Sequence, residues 1–386
     1  MVSETDPQYG LADDLRHLKI AVVTDPIWSK NGGIDVIANI TKFLDAPLYT
    51  LRQTESPKPL EDVDVRSFGS RESWLQRQIR RRGLNRLFYL HQMLAYQDWN
   101  PPREFDVIVT TGPLSQQVIQ HPEQARIHFF NSPARWLWDL THDLWNDRFG
   151  PIRWFMRAFA NHIRNTDVSS IRRFDRIVGN SDLVAGRIDA YYGEDATVAY
   201  CPVDTYQYRA EESEDYYVMV NRLVPEKRVK LVIEAFNDLG LPLKIAGDTR
   251  PTTQDYAEAC RELANDNIEF LGWVEGEGKV DLLAQSRGLI FAGKHEDFGM
   301  PPVEAMASGK PVVGVDEGFT KYQVDPGETG VLFKPDVSDL VAAVERTTDA
   351  EWDEAQIQAA ARTYDVRNTR VTWQEVLREL DTKQPK

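Results

Sequence analysis

Tyr217-Val218-Met219-Val220-Asn221-Arg222-Leu223-Val224-Pro225-Glu226-Lys227 decides the fold. Its first four residues form a short apolar run with two β-branched members. That is the pattern of a strand covered on both faces. A helical periodicity follows over residues 229–239, then a second apolar run, Leu243-Lys244-Ile245-Ala246, and a helical pattern over 253–264. Further strands are predicted at 268–272, 288–292 and 311–315. Strands alternating with helices pair in parallel, because each crossover helix carries the chain back across a sheet face. The same rhythm runs through the first half. Lys19-Ile20-Ala21-Val22-Val23-Thr24 reads as a buried strand, Gly32-Gly33 follows, and an amphipathic helix spans 34–43. Strands are predicted at 106–111, 126–131 and 176–180. The fold class is therefore α/β, with two doubly wound, Rossmann-like domains and an inter-domain cleft.

The expected boundaries are 1–204 for an acceptor-binding domain, 205–365 for a donor-binding domain, and 366–386 for a terminal helix returning toward the first. The acidic stretch 204–215 reads either as the linker or as a surface loop. In sheets of this kind ligands bind beyond the carboxyl ends of the strands. The chemistry-bearing residues fall there: Gly32-Gly33, Arg222, Gly247-Asp248 and Glu296.

Composition sets the outer limits. The chain has 386 residues, 42% hydrophobic and 10% aromatic, which suits two packed cores. Its net charge of −15 argues against a general nucleic-acid binder. Arginine outnumbers lysine, as suits a high-salt cytoplasm or simply an acidic protein. No apolar run reaches membrane-spanning length, and the polar first residues do not read as a signal peptide. Two cysteines, Cys201 and Cys260, build no disulfide framework, so a reducing, cytoplasmic setting is the expectation. Positive charge gathers upstream, in Arg77, Arg80, Arg81, Arg82 and Arg86. Interleaved with Leu75, Ile79, Leu84, Leu87 and Phe88, these make either a membrane-facing amphipathic helix or a solvated helix docked on the core.

The richest motif is Glu296-Asp297-Phe298-Gly299-Met300-Pro301-Pro302-Val303-Glu304. Gly299 allows close backbone approach. The prolines suit the first turn of a helix, and Ser308-Gly309 stops it. Glu296 is then predicted in the loop and Glu304 about one turn into the helix. Amides at Phe298, Gly299 and Met300 suit a phosphate, and the carboxylates suit sugar hydroxyls.

At these residues the chain resembles the retaining glycosyltransferases of family 4, also called glycosyl transferases group 1, with the GT-B fold. Four segments carry the resemblance in the family's order: 221–227, Ile245-Ala246-Gly247-Asp248, Ile268-Glu269-Phe270-Leu271-Gly272, and 296–313. The segment Phe130-Asn131-Ser132-Pro133-Ala134-Arg135-Trp136-Leu137-Trp138-Asp139 resembles mannosyltransferase-like members. Asn131 stands where those carry His, and Asn221 and Arg228 replace glycines beside the charged positions.

The resemblance implies transfer of a hexose, mannose or glucose, from a nucleotide-diphosphate sugar to a glycan or polyprenyl-phosphate-linked acceptor, with retention. Arg222, Lys227 and Glu296 are then the catalytic residues. The two cations would stabilise the leaving diphosphate, while Glu296 contacts the transferred sugar. Gly33, Gly247, Asp248, Phe298, Gly299, Met300 and Glu304 would bind the donor, Glu304 through the ribose hydroxyls. Asn131 and Arg135 are assigned to the acceptor. No cofactor and no metal are expected, since Arg, Lys and a helix terminus already neutralise the diphosphate. Asp62-Val63-Asp64 reads as a solvated loop. Trp136, Trp138 and Trp145 could stack on sugars or pack in the core. The alternatives are a nucleotide-sugar epimerase of the same fold and a non-catalytic nucleotide-sugar-binding protein.

Overall fold

The computed structural model describes residues 10–27, 32–53, 57–69, 85–135, 137–138, 150–249 and 253–381, with backbone alone for 85–90 and 150–160. The chain divides into two compact units. The first comprises Met1–Pro202 with Thr369–Lys386, and the second comprises Val203–Asn368.

The first unit holds a seven-stranded sheet: β1 (Ile20–Thr24), β2 (Leu48–Thr50), β3 (Val65–Ser67), β4 (Val107–Thr111), β5 (Ala125–Phe130), β6 (Arg176–Gly179) and β7 (Thr197–Val198). They lie side by side as β3-β2-β1-β4-β5-β6-β7, and neighbouring strands run parallel. The order reverses between β1 and β4, which makes that pair the unit's switch point. Every residue of β1 and β4 is buried, which explains their unbroken apolar runs.

The second unit is built alike: β8 (Tyr217–Val220), β9 (Leu243–Ala246), β10 (Ile268–Gly272), β11 (Leu289–Phe291), β12 (Val312–Val315) and β13 (Gly330–Phe333). Their order is β10-β9-β8-β11-β12-β13, so the reversal falls between β8 and β11. The helix Val229–Leu239 buries Val229, Val232, Ile233, Ala235 and Phe236. These pack with Leu340, Ala343 and Val344 of the helix Val337–Asp349 into one core cluster. Burying each of the valine, leucine, isoleucine and phenylalanine side chains among them contributes about 1.5–3 kcal/mol.

The acidic stretch 204–215 is no free linker. It belongs to the second unit. Thr205 donates from both its amide and its hydroxyl to Asp365. Lys310, 2% exposed, donates from Nζ to the Glu211 carbonyl at 2.7 Å and to Ser213 Oγ at 2.9 Å. Arg209 bridges Glu211 and Glu277 at 2.6 Å each, and also meets Asp281. The charges that looked like solvent-facing linker chemistry are ion-pair partners.

The terminal helix Val366–Asp381 crosses from one unit into the other. Its Trp373 is fully buried and lies 5.7 Å from the Phe129 ring of β5. Among the described residues no helix is long and apolar enough to cross a membrane. The basic segment of Arg77, Arg80, Arg81 and Arg82 lies outside the described residues, as do Trp136 and Trp145.

Candidate functional site

The second unit's switch point gathers most of the sequence-predicted residues. β8 ends at Val220, and the chain turns through Asn221 and Arg222 into a 3-10 turn, Pro225–Lys227. Two backbone bonds fix this turn: the Leu223 amide donates to the Asp248 carbonyl, and the Asn221 amide to the Ala246 carbonyl. Gly247 is obligatory there. Its φ is +153°, and a Cβ would collide with the Asn221 carbonyl. The turn is also tied to the loop after β11, because the Lys294 amide donates to the Glu226 carbonyl at 2.8 Å.

Lys227 and Glu296 meet. Nζ donates to Oε1 at 2.6 Å, with side chains only 12% and 20% exposed. Glycines make room for that contact. A Cβ on Gly293 would lie 2.7 Å from Glu296 Cγ, and one on Gly318 (φ +59°) would lie 2.6 Å from the Glu296 backbone. The Phe319 amide donates to the Glu296 carbonyl at 2.8 Å, and Phe319 stacks on Phe298 with centroids 5.6 Å apart. The Glu296 loop is thus held from both sides.

The helix begins at Met300 and runs to Ala307. Pro301 and Pro302 therefore occupy its first turn and have no N–H to offer. The amides left free at this helix start are those of Gly299 and Met300. Gly299 caps it at φ +81°, where a Cβ would press on the Phe291 ring at 2.9 Å. Glu304 sits on the second turn, 5% exposed, and accepts from Lys279 Nζ at 2.7 Å.

Arg228, where the resemblance leads one to expect glycine, adopts φ +52°. Glycine would reach that conformation freely; arginine strains the backbone. Its Nη2 donates to both carboxylate oxygens of Glu317, at 2.9 and 3.0 Å, and its Nη1 to the Ala292 carbonyl at 3.2 Å. His295, at φ +47°, places Nδ1 3.8 Å from the same carboxylate. Lys279, Arg228 and Glu317 were not anticipated from the sequence. The replacement of glycine by Arg228 was the single signal, and it pointed to a special backbone position.

Gly33, Asn131 and Arg135 lie in the first unit. Gly33 opens the helix Gly32–Phe43 after β1. Asn131 follows β5; its carbonyl accepts from Asn180 Nδ2 at 2.8 Å. Trp138 is a packed side chain. Its indole stacks on Tyr191 at 5.0 Å and donates to Asp167 Oδ2 at 3.0 Å. Asp167 also accepts from Tyr192 and Gln116, and burial raises its carboxyl above the ordinary range. At this unit's switch point Asp25 accepts from the Leu114 and Ser115 amides at 3.0 and 2.8 Å, and desolvation pushes it up to about 7. Asp64 of the Asp62-Val63-Asp64 segment is taken by Arg66, at 2.6 Å. Among the described residues there is no cluster of three metal-ligating side chains.

Residues 204–364 match the family described as Glycosyl transferases group 1. That span is less than half of the chain and almost coincides with the second unit. The alpha-1,3/1,6-mannosyltransferase of Dictyostelium discoideum is 28% identical over 34% of this chain and 37% of its own length. The GDP-mannose-dependent alpha-mannosyltransferase of Mycolicibacterium smegmatis is 33% identical over 30% of each chain. The chain thus spans about a third of the length of these curated relatives. The crystal structure of Anabaena HepE in complex with UDP superimposes with a TM-score of 0.71 at 18% identity, covering 94% of this chain and 100% of that one. The fold is GT-B.

Proposed function

We propose that the protein is a glycosyltransferase that moves a hexose, mannose or glucose, from a nucleotide-diphosphate sugar to a glycan or lipid-linked saccharide, with retention of anomeric configuration. The observation that carries this reading is the Lys227–Glu296 contact at the switch point of a group 1 glycosyl transferase domain. It joins a cation suited to a diphosphate with a carboxylate suited to sugar hydroxyls, at the place where open α/β sheets bind ligands.

Cleavage of the anomeric C–O bond leaves negative charge on the diphosphate. Arg222, after β8, and Lys227, at the end of the following turn, oppose that charge as fork and point cation. The amides of Phe298, Gly299 and Met300 add an aimed dipole. Gly247 and Asp248, after β9, line the same edge of the sheet. Glu296 accepts from the transferred sugar once Lys227 turns to the phosphate. Glu304 accepts from the ribose. Gly33, Asn131 and Arg135 serve the ligand of the first unit. The reading assigns no step to a metal.

Incubating the protein with UDP-, GDP- and ADP-hexoses and saccharide acceptors tests it, with the product anomer read by NMR. Transfer with a retained anomer supports the reading. An epimerised donor would instead mark an isomerase, and binding without turnover a non-catalytic protein. Arg222→Ala is expected to lose about 1.5–3 kcal/mol of a charge-assisted contact, hence roughly tenfold or more in rate. The membrane side of the proposal rests on the basic composition around Arg77–Arg86. Failure to co-sediment with anionic liposomes at native ionic strength removes it.

A further inference from the structure

Glu304 is a carboxylate almost removed from water, on a helix whose residues Pro302 to Ala307 are buried. A carboxylate so placed needs a counter-charge. The counter-charge comes from a different element, the helix Glu277–Ala284, which carries Lys279. Among the described residues Lys279 is the cation within ion-pair distance of Glu304, at 2.7 Å with exposures of 25% and 7%. Its ammonium also lies 6.0 Å from the Tyr208 ring centroid.

The geometry of this pair is one-sided. Nζ meets Oε1, and Oε2 takes no hydrogen bond among the described residues. A carboxylate has about four lone-pair sites, so a single ammonium on one oxygen leaves the other oxygen open while fixing the plane of the group. The helix that supplies Lys279 is itself pinned. Arg209 bonds Glu277 at 2.6 Å and also Asp281, one turn apart on that helix, and Lys279 lies between them in sequence. The ammonium is therefore presented by an anchored element and not by a free side chain on a loop.

We propose that Lys279 is a positioning residue for ribose recognition: it holds the Glu304 carboxylate by one oxygen so that the other accepts a ribose hydroxyl of the donor. This rests on the nucleotide-sugar reading of the site. Its signature is discrimination between ribose and deoxyribose, which a lysine serving only to stabilise the fold would leave untouched.

The test is titration calorimetry of the full chain with UDP, GDP and ADP, and with the 2′-deoxy and 3′-deoxy counterparts of whichever binds. The parent protein is expected to bind the ribonucleotide about tenfold tighter than at least one deoxy form, as fits a hydrogen bond to a charged group. In Lys279→Met that ratio is expected to fall to about twofold or less, with the thermal transition confirming a folded chain. Lys279→Gln, polar but uncharged, carries the same expected loss should the methionine variant not fold. A folded variant that keeps the full ratio overturns the role of Lys279 while leaving the nucleotide site standing. A parent protein that binds none of the three nucleotides overturns the underlying reading and this inference with it.

Discussion

Lys227 and Glu296 offer a double-mutant cycle whose outcome follows from their burial. In Lys227→Met the Glu296 carboxylate, 20% exposed, loses its ammonium at 2.6 Å. Stranding a largely buried charge costs about 3–5 kcal/mol; the remaining exposure puts this pair at the low end. For a unit of this size each kcal/mol lowers the midpoint by about 2–4 °C, so a fall of roughly 6–12 °C is expected. Glu296→Gln leaves an amide oxygen for Nζ and should cost less. The double variant has no stranded charge, so its loss should be smaller than the sum of the singles. The coupling is expected at about 1.5–3 kcal/mol, the worth of a hydrogen bond between charged groups. The assay is calorimetric unfolding of all four proteins, repeated with a saturating nucleoside diphosphate. With the nucleotide the coupling should shrink, because Lys227 then has a phosphate to neutralise. Additivity within about 0.5 kcal/mol in the free protein would refute the argument.

Three further outcomes can be checked. Gly247→Ala forces a side chain into the Asn221 carbonyl at a φ of +153°; a loss of about 1–3 kcal/mol is expected, read as a lowered transition of the second unit. Burial holds the His128 imidazole down at about 3, against an ordinary 6.5. Its folded value lies below its unfolded one, so stability is full above about 6.5 and is lost as pH falls toward 3; the midpoint of His128→Gln should fall less between pH 7 and 4 than that of the parent, and parallel curves would contradict this. Asp25 has the opposite sign. Its folded value, about 7, lies above the ordinary 3.8, so the native state binds the proton more tightly and stability falls as pH rises from about 4 to 7. Asp25→Asn, which keeps an oxygen for the Leu114 and Ser115 amides, should flatten that decline in thermal melts.

Much of the architecture was legible because buried parallel strands announce themselves. Val229–Leu239, Leu243–Ala246 and Ile268–Gly272 lie where the apolar runs and helical periods place them. The strands that escaped were short or peripheral. Leu48–Thr50 has three residues, Thr197–Val198 two, and Val65–Ser67 is an exposed edge strand. None is long enough for a period to show. Gly330–Phe333 pairs with β12 at the rim of its sheet. In the site, Glu296 and Glu304 stood out because their spacing frames a helix start. Their partners divide in two. Lys227 lies in a motif of its own, whereas Lys279, in Glu277-Gly278-Lys279-Val280, reads as any solvated helix lysine. Its pairing exists only once two helices pack. The linker reading failed for the same reason: Arg209, Glu211 and Lys310 look solvent-exposed in one dimension and bond each other or their neighbours in three.

The terminal helix has a practical consequence. The first unit is discontinuous in sequence, closed by Thr369–Lys386. A truncation at Pro202 would strip the cover from Phe129 and leave a hydrophobic slot where the Trp373 indole belongs. The first unit can therefore not be excised as one uninterrupted fragment, whereas the second, Val203–Asn368, is continuous. Dissecting the protein would require a fusion that splices the last segment onto the first, and chimeras exchanging lobes with relatives would need both junctions cut.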